Sequence, residues 1–417
     1  MMVFKHLPFR EIIKCHRVSL KWKNFLSSES SLYRSIDLVS LRNPLSSLAI
    51  KRLIQLSSTG IGIRSMAMNK PQDTFGGYHV PGYPECKSQT LSLLRQLFKN
   101  LEIIHILRAP ERRIPFGVDS STDLNHEIDI LPLSNLVHIN IEFPISPRSF
   151  VGLCGGTPHL EFLGCHLSSN EVDPKSPRTY PLLKSLSLSV PLVNCSHWAE
   201  VCSRWFPNLE ALTIVHEYGA FTNPPLTPYD WEFYLNNLRK LRLGSTNRKL
   251  SNLRLISKEI QILELAELTH LQEIRLPVQS HLEELHISSV PLLQKHILTQ
   301  FYESAKSLQH LTLSSPQFTP KDFDHFLGEG TNLRSIKVNS SYEITDSTLT
   351  ILHSHHRLER LEIDDCREVT GNGIINLVKS LSIKNGGKLR SISVRENPSI
   401  RRQTIDWARD QGVIISI

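Results

Sequence analysis

The run His353-Ser354-His355-His356 places three imidazoles within four positions. Imidazole nitrogens ligate zinc and move protons near neutral pH, so a metal site or acid–base chemistry is the first question. A metal needs further ligands, spaced on one face or in C-x-x-C pairs. No such partner is evident, and imidazoles at a helix C-terminus, favoured there by the dipole, account for the run. Cys165-His166 and the pair Cys195 and Cys202 also lack a C-x-x-C partner. Buried structural thiols account for them. The glycines of CGGTPH (154–159) and TGNGI (370–374) are not followed by the Lys-Ser/Thr of a phosphate-binding loop and read as turns. No G-x-S-x-G or H-E-x-x-H is present. The expectation is therefore no metal, no cofactor and no enzyme active site.

If the chain does not carry out chemistry, its elements must position a surface. The 417 residues include 47 Lys and Arg against 40 Asp and Glu, a net charge of +7 spread along the sequence. That balance permits an acidic partner without requiring nucleic acid, and direct nucleic-acid binding is not expected. No run of about 18 apolar residues marks a membrane span. The seven cysteines show no paired spacing, which suits a reducing compartment.

The dominant signal is a repeat. An apolar residue is followed by another three on and another two on at Leu183-Leu186-Leu188, Leu209-Leu212-Ile214, Leu238-Leu241-Leu243, Ile260-Leu263-Leu265 and Leu282-Leu285-Ile287. It continues at Leu308-Leu311-Leu313, Leu333-Ile336-Val338, Leu358-Leu361-Ile363 and Leu389-Ile392-Val394. Weaker copies lie at Leu101-Ile104-Ile106, Leu136-Ile139-Ile141 and Leu160-Leu163. From Leu183 onward the steps fall between 22 and 31 residues, the period of leucine-rich repeats. Each LxxLxL run is a short strand with its leucines turned inward. The rest of the repeat is a helix or irregular return, and neighbours bury one another's faces. Leu271–Leu276 also fits the pattern but lies only 11 residues from the copies on either side, too close for a full repeat. It reads as the outer return of the repeat begun at Ile260.

Thr345 and Thr370 stand where an N-cap hydroxyl would start a helix. LERLEIDDCREVTGNGIINLVKSL (358–381) carries Cys366, then the Val369-Thr370 turn and a helix. It resembles the cysteine-containing class of leucine-rich repeats, typical of F-box proteins. IRRQTIDWARDQGVIISI (400–417) reads as a helix, a stop at Gly412 and a terminal strand that covers the last sheet edge.

At the other end, Ile12, Cys15, Val18, Trp22 and Phe25 make one apolar helical stripe, flanked by Lys14, Arg17, Lys21 and Lys23. VFKHLPFREIIKCHRVSLKWKNFLSSESSLYRSIDL (3–38) resembles an F-box. The matching residues are Val3-Phe4, Leu7, Glu11-Ile12, Val18 with Trp22, Leu32-Tyr33 and Ile36-Asp37-Leu38. The resemblance extends more loosely to a fungal branch in which tetratricopeptide repeats precede the F-box. Family members carry a Leu-Pro-x-Glu turn before the position of Val3, so the box here is expected to lack its first half. A plain helical cap on the repeats is the competing reading of 1–38.

The expected fold class is α/β: a leucine-rich-repeat solenoid, a curved parallel sheet with outer helices, behind a small, incomplete helical F-box. The expected divisions are a partial F-box at 1–38, a connecting helical segment with a mobile loop at 39–95, and the solenoid with its C-terminal helix and strand at 96–417. The resemblance implies the substrate-receptor subunit of a Skp–cullin–F-box ubiquitin ligase. Phe4, Leu7, Pro8, Ile12, Val18 and Trp22 would dock a Skp-type adaptor and, through it, a cullin. A protein substrate would lie on the concave face, at Lys337, Arg360, Asp364 and Arg395. The aromatic stretch 216–237, with Tyr218, Phe221, Tyr229 and Trp231, would extend that surface or pack down as a loop. No membrane is implied, and the expected location is intracellular, the nucleus ahead of the cytoplasm. The alternative is a non-catalytic repeat scaffold that binds or sequesters a partner without ligase assembly.

Overall fold

The computed structural model describes residues 19, 21, 35–37, 64–69, 101–107, 135–167, 172, 178–190, 197–216, 228–244, 250–277, 281–291, 298, 301–314, 318–383 and 386–416. The chain divides into two units, one of residues 1–171 with 182–189, the other of 172–181 with 190–417.

In the first unit, strands β1 (Ser35–Asp37), β2 (Ser65–Asn69), β3 (Ile103–Leu107), β4 (His138–Ile145), β5 (Phe162–Leu167) and β6 (Ser185–Val190) pair in parallel and in chain order. Helix α1 (Pro147–Gly156) links β4 to β5. Ser146 starts it by accepting from the Ser149 N–H at 3.1 Å, with Pro147 at the first position, where a missing N–H costs nothing. Strands β1 and β2 lie upstream of residue 96, where the repeats were expected to begin. Met66 and Met68 stand in register with Ile104 and Ile106.

The second unit repeats the plan with greater regularity. Its main sheet runs β7 (Ala211–His216), β9 (Lys240–Gly244), β11 (Ile262–Ala266), β13 (Glu284–Ser288), β14 (His310–Ser314), β15 (Ser335–Asn339), β16 (Arg360–Asp364), β17 (Ser391–Ser393) and β18 (Ile414–Ser416), all parallel. On this sheet the three apolar residues of each LxxLxL run from Leu209 onward are buried. Each such side chain stabilises the fold by about 1.5–3 kcal/mol through loss of its water contact. Residues between the leucines point to the opposite, solvent face, because side chains alternate along a strand.

The returns come in two kinds. From Phe301 onward they are helical: α3 (Tyr302–Ala305), α4 (Pro320–Glu329), α5 (Asp346–Ile351), α6 (Gly371–Leu381) and α7 (Arg402–Asp410), each packed on the next. Upstream, α2 (Trp198–Trp205) precedes β7. The threonine caps occur as the sequence implies. Thr345 closes a capping box with Thr348, and Thr370 accepts from the Gly373 N–H.

Three returns are strands, contrary to the expected helix or irregular segment. β8 (Tyr229–Phe233), β10 (Leu250–Leu255) and β12 (Glu273–Arg275) form a second parallel sheet in the order β12-β10-β8. The Leu271–Leu276 run is thus an outer return, as its spacing suggests. Trp231, which the sequence left between extending the surface and packing down, is 2% exposed and packs down. It stands inward on β8 with Phe233, because Tyr229, Trp231 and Phe233 alternate with Asp230 and Glu232. The C-terminus matches expectation: α7 stops before Gly412 at φ +84°, and β18 pairs with β17.

Candidate functional site

Chemistry-bearing residues are dispersed. His355 is fully buried, and its Nε2 donates to the Leu327 carbonyl at the end of α4 at 3.0 Å. Burial holds its pKa below the usual imidazole value, so it is neutral at pH 7. Among the described residues no group of three His, Cys, Asp or Glu side chains is placed to hold a metal. Cys154, Cys165, Cys202 and Cys366 are buried and form no disulfide. Burial drives the Cys165 and Cys202 thiols far above their ordinary range. The same effect, first among its causes, pushes Cys366 up to about 11. Such thiols stay protonated and are poor nucleophiles. Cys195 lies outside the described residues.

The six residues expected to dock an adaptor, Phe4, Leu7, Pro8, Ile12, Val18 and Trp22, lie outside the described residues as well. So do Tyr218 and Phe221, and all of the connecting segment 39–95 but residues 64–69.

The solvent face of β13–β17 brings the other expected residues together. In-phase repeats set equal positions side by side, which produces three rows. The first is Ser335, Arg360, Ser391; the second is Lys337, Glu362, Ser393; the third is Asn339 beside Asp364. Lys337 Nζ meets Glu362 Oε2 at 2.7 Å across β15 and β16. Both side chains are substantially exposed, so the pair adds less than about 1 kcal/mol and chiefly fixes side-chain position. Asp364 Oδ1 accepts from the Ser393 hydroxyl at 2.7 Å and from the Arg395 N–H at 3.0 Å. It therefore closes the ends of β16 and β17, and Ser393, 9% exposed, is turned to this bond. Arg360 and Arg395 remain exposed with no carboxylate at ion-pair distance among the described residues. Further along the face, His286 Nε2 lies 3.3 Å from Glu284, and Glu284 is in register with His310. Arg242 pairs with Glu264 at 3.0 Å across β9 and β11.

Two features escaped the sequence reading. Ser335 and Ser391 flank Arg360, and the equal offset of all three from their leucines was the available signal. In the first unit, His105, His138 and Phe162 form a ladder of rings over β3–β5, with centroids 4.9 and 3.9 Å apart. Partial burial first, and His105 second, lower the His138 pKa.

Among the described residues no helix is long and apolar enough to cross a membrane. No family model matches the chain, and no curated protein matches it. Among solved structures it is similar to a chain of the crystal structure of the TLR13-ssRNA13 complex, at 16% identity and TM-score 0.34, over 93% of this chain and 62% of that one. It thus spans less than two thirds of that chain's length. It is similar also to a chain of the crystal structure of the Rad7 and Elc1 complex in yeast, at 14% identity and TM-score 0.30, over 97% of this chain and 96% of that one. At identities and TM-scores this low, neither likeness says what this chain binds.

Proposed function

We propose that this chain is the substrate-receptor subunit of a Skp–cullin–F-box ubiquitin ligase, acting as a scaffold with no chemistry of its own. The observation that carries the reading is the joining of two parts. An F-box-like segment precedes parallel leucine-rich repeats whose solvent face is polar and ordered by cross-strand pairs. Phe4, Leu7, Pro8, Ile12, Val18 and Trp22 would dock a Skp-type adaptor, and the adaptor a cullin. The sheet face around Lys337, Arg360, Asp364 and Arg395 would hold the target protein. Holding the target beside a ubiquitin-loaded enzyme raises its effective concentration. The nucleus is the favoured location.

The test is co-expression of the chain with a Skp-type adaptor and affinity purification. The adaptor is expected to copurify, and Trp22→Ala with Ile12→Ala to reduce its recovery at least tenfold. Failure of the adaptor to copurify sinks the ligase reading. The second reading, a binding or sequestering scaffold, is favoured by the same sheet face, which needs no adaptor to present it. A chain that retains target proteins without the adaptor supports it.

A further inference from the structure

We infer that Arg360, with Ser335 and Ser391 on either side, is an anion subsite that receives a carboxylate or phosphate group of an acidic peptide segment. The inference deepens the proposed recognition role of this face and rests on it. The three residues share one row of the sheet, so the hydroxyls stand about 4.8 Å to each side of the Arg360 position. Both serines are short, so neither shades the guanidinium. Neither hydroxyl makes a hydrogen bond among the described residues. A planar guanidinium beside two hydroxyl donors suits a carboxylate or phosphate, whose oxygens accept several hydrogen bonds at once.

The neighbouring rows decide the sign of the ligand. Each acid on the solvent face of β15–β17 already has an internal partner: Glu362 has Lys337, and Asp364 has Ser393 and the Arg395 N–H. The charges left without one are those of Arg360 and Arg395. Lys337, Arg360 and Arg395 against Glu362 and Asp364 leave this place with one net positive charge, since the neutral donors to Asp364 do not cancel its charge. A peptide suits it better than a small ion, because the cations lie along an open strand surface. Arg395 stands near the level of Asp364, four residues or about 13 Å along the strand from Arg360. An extended segment with acidic groups about four residues apart reaches both.

The experiment uses the full chain and bead-bound pools of degenerate 12-residue peptides with a fixed central phosphoserine, glutamate, serine or lysine. The phosphoserine pool, the glutamate pool or both are expected to retain the chain at least fivefold above the serine pool, and the lysine pool not at all. Retention by phosphoserine alone assigns the site to phosphate; retention by both assigns it to carboxylate as well. Arg360→Glu should lower retention at least tenfold, and Ser335→Ala with Ser391→Ala about threefold. Lys240→Glu makes the same charge change on exposed β9 and should have no effect. Arg360→Gln, nearly the same length and also exposed, should lose binding even if Arg360→Glu disturbs the fold. Equal retention by the serine or lysine pools, absence of retention by both anionic pools, or parity of the Arg360 variants with Lys240→Glu overturns the inference. If peptides are held but no adaptor copurifies, the ligase reading alone falls; if the adaptor copurifies and the anionic pools fail, this inference alone falls.

Discussion

At the scale of single residues, the repeat depends on a few buried polar groups that tie one turn to the next. Eight positions after the first leucine stand Ser341, Cys366 and Asn397, all buried. Asn397 Oδ1 accepts from the Cys366 N–H at 2.6 Å, and its Nδ2 donates to the Ile363 carbonyl at 2.5 Å. Cys366 lies past the end of β16 and the β16–β17 pairing ends at Glu362, so neither group has a β17 partner, and an unpaired buried N–H or C=O costs about 1–3 kcal/mol. His355 serves similarly, capping the exposed carbonyl end of α4 through Leu327. Its titration carries a prediction. Burial lowers its folded pKa below 6.5, so the unfolded chain takes up the proton first. The neutral ring's contribution is therefore complete above about pH 6.5 and declines as pH falls below it. Urea midpoints at pH 7.5 and 5.5 should show the wild type losing stability on acidification. His355→Gln should be less stable at pH 7.5 and show a smaller drop. An unchanged drop would place the pH dependence elsewhere.

Elements are joined by contacts that leave different amounts of trace in the sequence. The threonine caps were legible, because a hydroxyl before an apolar period has one local use. The inter-helix bond was not. Asp346, in the first turn of α5, accepts from the N–H of Thr370 at 2.8 Å and from its hydroxyl at 2.6 Å, linking the starts of α5 and α6. Gly373 makes room for that carboxylate: a Cβ built there would fall on Asp346 Oδ1. Gly373→Ala should therefore destabilise by about 1–3 kcal/mol, although alanine is the better helix former. Ala in place of Gly152, whose surroundings in α1 are open, should stabilise by about 0.5–1 kcal/mol. Denaturant melts of the two variants check the contrast, and equal effects would refute it. Also hidden are the left-handed residues seven positions after the first leucine: Glu267, Ser289, Ser340, Asp365 and Glu396, with φ between 52° and 58°. No glycine marks them. Ser340 and Asp365 donate their N–H groups to the Asp364 and Arg395 carbonyls of the next repeat, which extends the ladder past the strand end. The second sheet was obscured differently. Its Tyr229-Trp231-Phe233 alternation is plain, but the prolines just before it made the stretch look like loop.

For the molecule as a whole, the sheet of the second unit is legible in sequence because each repeat meets only its neighbours, so one short pattern recurs at every step. The face chemistry is less so. Which charges are free follows from strand register between repeats of unequal length, such as the 31-residue step from Leu358 to Leu389. The same nearest-neighbour construction implies that damage fades with distance along the stack. Leu361 on β16 is 1% exposed and lies between Ile336 and Ile392 in register. Leu361→Ala removes packing from both flanking strands and should lower stability by about 2–5 kcal/mol. Amide hydrogen exchange should accelerate most in β15–β17 and in α5 and α6, and least in β7, β9 and β11. Helices exchange with their strands because the apolar faces of α6, Ile374, Leu377, Val378 and Leu381, are buried with the same core. Uniform acceleration across β7–β18 would instead mean that the second unit opens as one cooperative body. The local outcome would explain how the chain can alter its ligand-facing rows around Arg360 without loosening repeats more than a few steps away.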